Sequence, residues 1–307
     1  MQDQQGQTPR GIPGPHGGEV RFSVLDRSRT REGHDGPEAV GTGGVMLPNH
    51  QPLVVAEQFG VLEALFPGRI DMGLGRSVGF TDGVRKALGR DKHAAEDFAA
   101  QLTELLGWFR GTSDTGVRAY PADGRRVPAF VLATGEGAAV AAAAGLPLVI
   151  GDLRGREKML RAVDGYRAAF QPSAWAPEPY VVVSGTVAVA ATEEAARRLL
   201  VPEAWSMAYA RTHGTFPPLP PAERVEGLAA GGALTDKERS LYESGLQGHV
   251  HGTEEQVAEA LTALVEESGA QEVLVTTSTY DREGLLDSYR RLARVAGLAG
   301  AGGADRP

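Results

Sequence analysis

The sequence of 307 residues contains no cysteine. This absence excludes disulfide bonds, thiolate nucleophiles and cysteine metal sites, and it suits the reducing cytoplasm, where we expect the protein to act. No apolar run reaches the about 18 residues that a membrane-spanning helix needs, so we expect no membrane partner. Basic residues are fewer than acidic residues, which gives the chain a net charge of -8. That balance argues against nucleic-acid binding, which requires basic surface.

Hydrophobic residues, at 42% of the chain, are sufficient for a large core. Residues 1–18 are rich in Gln, Gly and Pro and are predicted to be a disordered leader. A similar composition predicts a disordered tail over residues 299–307. Between them, residues 19–298 are predicted to form a single domain of alternating strands and helices, with an insertion over about residues 202–252. Such alternation is typical of a parallel sheet covered by helices.

Seven short apolar runs are predicted to be strands, and most are continuously apolar, as in a sheet covered on both faces. They are Val20–Leu25, Val40–Met46, Ile70–Leu74, Pro128–Ala133, Leu146–Ile150, Tyr180–Ala190 and Glu272–Thr277. The spacing of Val55, Phe59, Leu62 and Phe66 predicts a helix over residues 51–66 with these side chains on one face. A second helix is predicted over residues 92–109, and a capping box at Thr253 begins another.

Glycines lie where two of these strands end. Gly41–Gly44 fits either a bulged strand end that admits a planar ring or an ordinary glycine-rich turn. Arg76, directly after Gly73–Gly75, fits either a phosphate ligand or a surface arginine in a salt bridge.

A third glycine-rich stretch, Thr134–Ala138, joins a predicted strand to an alanine-rich helix. Free backbone amides at such a junction can bind a phosphate, although a simple tight turn is the better explanation of the stretch taken alone. It has neither the Rossmann spacing nor a P-loop lysine. His249 and His251 have no further ligand at suitable spacing, so no metal site is predicted.

Several of these motifs resemble one family in order along most of residues 20–298. They are Phe22–Asp26, Val40–Pro48, Leu53–Gln58, Pro67–Arg76 and Val273–Tyr280. Together they are similar to the bacterial luciferase-like flavin monooxygenases, and in particular to the subgroup that acts in antibiotic pathways.

The resemblance implies an α/β fold, a (β/α)8 TIM-type barrel that binds FMN at the carboxyl ends of its strands. It also implies a monooxygenase that uses reduced FMN and O2 to oxygenate a small organic substrate, with secondary metabolism as a possible setting. A separate NAD(P)H-dependent reductase would supply the reduced flavin, and the enzyme would be a homodimer.

Seven residues match cofactor-binding positions of that family, whereas no catalytic residue is assigned. The glycine pair supports the isoalloxazine ring, the arginine and the backbone at Val78 bind the phosphate, and the last three residues form a second phosphate loop. These residues are Gly43, Gly44, Arg76, Val78, Thr134, Gly135 and Ala138.

Two departures from the family pattern are visible. Gly135 and Ala138 stand where the family usually has hydroxyl side chains, which predicts weaker FMN binding. The barrel is also short by about one and a half βα units between residues 26 and 41, where only the polar stretch 27–39 remains. The barrel would then stay open, or its first and third strands would pair directly.

The missing segment would carry the histidine that is a leading candidate for acid/base catalysis in this family. Three interpretations therefore remain: a shortened monooxygenase, a non-catalytic flavin-binding paralogue, and a truncated gene product. A deazaflavin oxidoreductase of the same superfamily matches the motifs less well.

Overall fold

A computed structural model describes residues 11–15, 17–24, 40–79, 81–112, 115–151 and 155–298. The first ten residues of the predicted leader, the polar stretch 27–39 and the predicted tail 299–307 lie outside the described residues. The predicted domain boundaries stay predictions.

The described residues form nine strands and ten α-helices. The strands are β1 (Arg21–Val24), β2 (Val40–Gly41), β3 (Val45–Met46), β4 (Ile70–Gly75), β5 (Ala129–Ala133), β6 (Leu148–Gly151), β7 (Val181–Val189), β8 (Val250–Gly252) and β9 (Glu272–Thr276). The helices are α1 (Pro52–Leu65), α2 (Asp82–Ala87), α3 (Phe98–Arg110), α4 (Gly137–Ala144), α5 (Arg156–Ala169), α6 (Glu193–His213), α7 (Ala222–Ala230), α8 (Asp236–Gly245), α9 (Glu254–Ser268) and α10 (Arg282–Val295).

All seven predicted strands are present, and the second of them is divided into β2 and β3. The capping box predicted at Thr253 begins α9 as expected. The predicted insertion contains most of α6 together with α7 and α8, and its last three residues form β8, which was not predicted. In the part of the chain that the structure describes, no helix is long and apolar enough to cross a membrane.

The chain divides into two compact units. Unit I is formed by the described residues within Arg27–Gly151 and Glu157–Val182, and unit II by those within Met1–Asp26, Asp152–Arg156 and Val183–Pro307. In unit I, β2 and β3 both pair with β4, β4 pairs with β5, and β5 pairs with β6; all these pairings are parallel. In unit II, β1 pairs with β9 and β7 pairs with β8, again in parallel.

The strands of unit I carry apolar side chains that are fully buried. Met72, Leu74, Val131, Leu148 and Ile150 have no exposed surface, as expected for parallel strands covered on both faces. Burying one such side chain stabilises the fold by about 1.5–3 kcal/mol. The strands of unit I are therefore a rigid support for the loops at their carboxyl ends.

Helix α1 is buried over only the first half of the face that the sequence predicts. Val55 and Phe59 are buried as expected, but Leu62 and Phe66 are 39% and 46% exposed. The buried residues of α1 all lie between Pro52 and Gly60, and Phe66 follows the last helical residue, Leu65. The close packing is at Gly60, where an added Cβ would lie only 2.4 Å from the backbone of Pro121, and the predicted four-residue face is wrong in its second half.

Unit II has an apolar cluster formed by α6, α7 and α8. Leu200, Ala204, Val225 and Tyr242 are among its buried members, and Ala188 of β7 contributes to it. Two of these helices begin with hydrogen-bonded side-chain caps, Thr192 on α6 and the capping box of Thr235 and Glu238 on α8. The cluster packs the predicted insertion against the first half of α6 and against β7.

Glu238, at the start of α8, forms hydrogen bonds through both of its carboxylate oxygens. Its Oε2 accepts hydrogen bonds from the hydroxyl and the amide of Thr235, at 2.7 Å and 3.0 Å, and its Oε1 lies 2.9 Å from Nε2 of His213. The Thr235 hydroxyl, followed by His213 and the Thr235 amide, lowers the pKa of Glu238 to about 2. This carboxylate is a structural part of unit II.

Candidate functional site

The candidate site lies in unit I, at the carboxyl ends of three neighbouring parallel strands. Arg76 follows β4 directly, and Thr134 follows β5 directly. Lys158 is in the first turn of α5, the helix that comes after β6. Because β4, β5 and β6 are parallel and adjacent, these residues are at the same edge of the sheet, the edge at which barrel enzymes bind ligands.

The glycine-rich stretch between β2 and β3 forms a bulge. Gly41 pairs with Asp71 and Val45 pairs with Leu74, so four steps along this stretch oppose three steps along β4. One residue is therefore extra, which is the definition of a β-bulge. The predicted Gly43 and Gly44 both lie in this bulge, and every peptide bond among the described residues is trans.

Thr42 fastens the bulge to β4, a contact that sequence reasoning missed. Its hydroxyl donates to the carbonyl of Gly73 at 2.8 Å and accepts from the amide of Gly73 at 3.0 Å. A Cβ added to Gly73 would lie 2.0 Å from the carbonyl oxygen of Thr42. Glycine is thus required at position 73 so that the two backbones can approach.

Gly75 has a different environment, although it lies on the same strand. A Cβ added there would meet no atom of the described chain within 4 Å. The space beside the end of β4 is therefore open. In contrast, a Cβ added to Gly44 would lie 3.2 Å from Leu132 of β5, so the bulge rests on that side chain.

Arg76 is brought to the second predicted phosphate loop. Its Nη2 lies 2.9 Å from Oε2 of Glu136, and the two side chains are 49% and 84% exposed. The structure thus shows the salt bridge that was one of the two alternatives for Arg76, with a partner from the Thr134–Ala138 loop, and phosphate binding stays a prediction. Glu136 was not among the predicted site residues.

The Thr134–Ala138 loop leads into α4. The amide of Ala138 donates to the carbonyl of Gly135 at 2.8 Å, and the side chain of Ala138 is buried. Thr134 is exposed, and its hydroxyl makes no hydrogen bond among the described residues. Val78 is buried as well, and the predicted phosphate contact of its backbone stays a prediction.

Lys158 is a second cation of the site that sequence reasoning missed. A Cβ added to Gly135 would lie 3.8 Å from Cε of Lys158, so the end of this side chain, next to the ammonium, lies beside the loop. Lys158 is exposed and forms no ion pair with any residue that the structure describes. Its position could have been suspected from the strand order, since it begins the helix after the strand next to β5.

Asn49 is another unpredicted polar group near these strand ends. It ends the short 3-10 turn Leu47–Asn49 that follows β3. Both polar atoms of its side chain are buried without a hydrogen-bond partner in the described chain. Buried polar groups normally have a partner, so Asn49 is a further place where the bulge side of unit I offers unused hydrogen-bonding capacity.

The donor set of this edge fits a phosphate group. It consists of the guanidinium of Arg76, the ammonium of Lys158, the hydroxyl of Thr134 and the amide of Gly137, the first residue of α4. The amides of Ala138 and Ala139 do not belong to it, because they donate to the carbonyls of Gly135 and Glu136. The carboxylate of Glu136 already occupies the guanidinium, which shows that an anion can be held there. Arginine binds phosphate in the same charge-assisted way as it binds a carboxylate.

The two histidines considered for metal binding lie in unit II. Nε2 of His249 donates to the carbonyl of Gly245 at 2.7 Å, and Nδ1 of His251 lies 3.3 Å from the carbonyl of His249. Within the described ranges, no group of three His, Cys, Asp or Glu side chains is arranged to hold a metal ion.

Comparison with known proteins identifies the family. The family model described as luciferase-like monooxygenase matches residues 39–272. The chain belongs to this family. A luciferase-like monooxygenase of Escherichia coli (strain K12) is 31% identical over 253 residues, which are 81% of this chain and 74% of that protein. The family assignment supports a monooxygenase.

Solved structures agree with this assignment. The crystal structure of apo-MsnO8 is similar with a TM-score of 0.74 and 28% identity, covering 92% of this chain and 88% of that one. The oxygenating constituent of 3,6-diketocamphane monooxygenase from Pseudomonas putida, in complex with FMN, has a TM-score of 0.58 and 18% identity over 90% of this chain and 87% of that one. At that identity the second likeness shows the fold alone.

The predicted fold class, an α/β luciferase-like barrel of the TIM type, is confirmed. The predicted shortening is consistent with the structure, in which β1 ends at Val24 and the next described strand begins at Val40. β1 has β9 as a partner and β2 has β4.

Proposed function

We propose that this luciferase-like protein is a monooxygenase that uses reduced FMN and O2 to oxygenate a small organic substrate. The observation that carries the proposal is the position of Arg76 at the end of β4, beside the Thr134–Ala138 loop that follows β5. Two separate strand ends thus present phosphate-binding groups at one place.

The cofactor assignment is supported by both halves of the candidate site. Arg76, Lys158, Thr134 and the backbone amides of Val78 and Gly137 would hold the FMN phosphate. The bulge at Gly43 and Gly44 would support the flavin ring, because a backbone without side chains lets a flat ring approach closely. A related fold binds FMN in the 3,6-diketocamphane monooxygenase structure.

When bound, reduced FMN supplies the electrons that activate O2. The residues of this chain then have three tasks: Arg76 and Lys158 neutralise the phosphate charge, the Gly43–Gly44 bulge positions the ring, and the open space beside Gly75 admits the bound molecule. No acid or base of the reaction is assigned, since the family histidine falls in the segment that this sequence lacks.

We further infer a homodimer that receives reduced flavin from a separate NAD(P)H-dependent reductase. Support for the dimer comes from α1, where Val54, Val61 and Leu65 are exposed and share one helix face by their spacing. Leu65 is 65% exposed. An apolar stripe of this kind on a helix is typical of a protein interface.

A second candidate function is a flavin-binding paralogue without catalysis. It is favoured by the short sequence between β1 and β2, since residues 27–39 leave no room for the helix, strand and helix that carry the family histidine. The two candidates differ in one property. Both bind FMN, but only the monooxygenase consumes O2 with formation of an oxygenated product.

Equilibrium dialysis against oxidised and reduced FMN tests the shared part of both candidates. We expect saturable binding, with riboflavin bound more weakly than FMN because it lacks the phosphate. Oxygen uptake with a flavin reductase and a panel of small organic substrates then separates the two. Absence of binding at millimolar FMN in either redox state would contradict both functions.

A further inference from the structure

We propose that Glu136 competes with the phosphate of the flavin for Arg76, and that this competition keeps the cofactor weakly bound and exchangeable. The proposal rests on the proposed function, because it concerns the same phosphate site. It makes Glu136 a specificity-determining residue that reduces the preference of the protein for FMN over riboflavin.

The first support is geometric. Oε2 of Glu136 lies 2.9 Å from Nη2 of Arg76, the distance of a charge-assisted hydrogen bond. No other ion pair of Arg76 is formed among the described residues, so the guanidinium has its only anionic partner in the loop that is meant to bind phosphate. A phosphate bound by Arg76 would have to displace this carboxylate or share the guanidinium with it.

The second support is the charge of the site. Arg76 and Lys158 contribute two positive charges, and Glu136 removes one of them. A phosphate monoester carries about -1.5 to -2 charges at pH 7. With Glu136 paired to Arg76, only the charge of Lys158 remains to neutralise the phosphate, and the site does not balance it. Changing Glu136 to glutamine restores the balance without a change of shape.

The third support is that the side chain of Glu136 contributes little to the stability of the fold. It is the N-cap residue of α4, yet its side chain makes no capping hydrogen bond. Its side chain is 84% exposed, and ion pairs at that exposure contribute little to stability. The contact with Arg76 therefore matters more for what Arg76 can bind than for the folded state.

Such competition suits a flavin that arrives from another protein. A monooxygenase supplied by a separate reductase uses reduced FMN as an exchangeable reactant, so it gains from release of the spent flavin. Glu136 would return to Arg76 as the phosphate leaves. The guanidinium then stays paired and positioned between turnovers.

The experiment compares FMN and riboflavin binding by the full chain and by Glu136→Gln, using equilibrium dialysis at low ionic strength. We expect Glu136→Gln to bind FMN roughly tenfold more tightly and riboflavin unchanged. Glu223→Gln is the matched control, because Glu223 is also highly exposed and paired with an arginine, Arg198, and is not a sequence neighbour of any residue of the site. It should change neither constant.

The double variant Arg76→Ala/Glu136→Gln identifies the mechanism. If Glu136 acts by occupying Arg76, glutamine at position 136 should improve FMN binding much less when Arg76 is absent. If glutamine at position 136 improved FMN binding equally with and without Arg76, Glu136 would act by repelling the phosphate and not by competing for Arg76. That result would overturn the proposal.

Two other results would also overturn it. Weaker FMN binding by Glu136→Gln would mean that the carboxylate holds Arg76 in its binding position, and an unchanged constant would mean that it has no influence. In both cases the proposed function stands as long as the wild-type chain binds FMN through Arg76. Failure of the wild-type chain and all variants to bind either flavin would instead contradict the proposed function itself.

Discussion

Two carboxylates of this protein, Glu136 in unit I and Glu238 in unit II, lie in opposite environments. Glu136 is exposed and has one partner, the guanidinium of Arg76. Glu238 is 12% exposed and accepts hydrogen bonds from the hydroxyl and amide of Thr235, with His213 as a third partner. The same side chain is thus an exchangeable partner in one unit and a fixed structural element in the other.

This difference distinguishes a candidate binding surface in unit I from a structural region in unit II. At the strand ends of unit I, charged groups are accessible and their partners can be exchanged for a ligand. In the helices of unit II, charged groups are tied to capping positions and support an apolar cluster. We therefore expect substitutions at the strand ends to change ligand binding, and substitutions in the α6–α8 region to change stability.

The largest effect is expected where unit I is itself tightly packed. Gly73→Ala should destabilise the protein by about 3 kcal/mol, because the added methyl group would overlap the carbonyl of Thr42. Gly75→Ala is the matched control on the same strand and should stay within about 0.5 kcal/mol of wild type, since its methyl group meets no atom. Urea denaturation measures both, and similar losses would show that the two glycines do not differ in this way.

The apolar helix faces of the two units differ as well. The apolar face of α6 is buried in unit II, whereas Leu65 of α1 is exposed in unit I. If α1 forms the dimer interface, Leu65→Glu should weaken the dimer by about 2 kcal/mol per buried leucine. Light scattering over a concentration series checks this. Leu88 is another exposed leucine of unit I, and Leu88→Glu should leave the dimer intact. A monomeric wild-type protein would contradict the proposed interface.

The bonded carboxylate of unit II should influence stability through pH. Glu238→Gln is expected to lose about 1.5 kcal/mol at pH 7, because its partners lose a charged acceptor. The pKa of Glu238 is lowered to about 2, so its contribution is complete above about pH 4.5 and is lost as the pH falls towards 2. Wild type should therefore lose more stability over that interval than Glu238→Gln.

Glu243→Gln, an exposed change on the same helix, serves as the control for this experiment. Its stability should follow the wild-type pH dependence. A Glu238→Gln curve parallel to that of wild type between pH 4.5 and 2 would show that the carboxylate of Glu238 is not stabilised by its partners.

The smallest effect is expected at Thr134, which supplies one neutral hydroxyl to the site. Thr134→Ala should weaken FMN binding by about 1 kcal/mol, or roughly fivefold, with stability unchanged. Riboflavin binding is the internal control and should not change. A loss as large for riboflavin as for FMN would move Thr134 away from the phosphate.

Much of the fold could be predicted from the sequence because its signals are local. Strands such as Ile70–Gly75 are short apolar runs between glycines and turns, and Thr253 with Gln256 has the full pattern of a capping box. The three-residue strand Val250–Gly252 carries no such signal, and its pairing with β7 depends on the tertiary structure. The exposure of Leu62 could not be predicted either, because the residues that cover α1, such as Pro121 beside Gly60, are distant in sequence.

In the candidate site too, local features could be predicted from the sequence and tertiary contacts could not. The positions of Arg76 and Thr134 at strand ends were readable from the glycine motifs. Their convergence with Glu136 was not, because that contact joins residues 60 positions apart and depends on the pairing of β4 with β5. The hydrogen bonds between the Thr42 hydroxyl and the backbone of Gly73, 31 positions away, could not be predicted for the same reason.

The central claim is that Arg76 binds the phosphate of a flavin, and one comparison tests it most directly. The dissociation constants of FMN and riboflavin are measured for wild type and for Arg76→Ala under the same ionic conditions. We predict that the variant loses about 2 kcal/mol of FMN binding, or roughly thirtyfold, and that its riboflavin binding is unchanged. Equal losses for the two flavins, or none for FMN, would contradict the account.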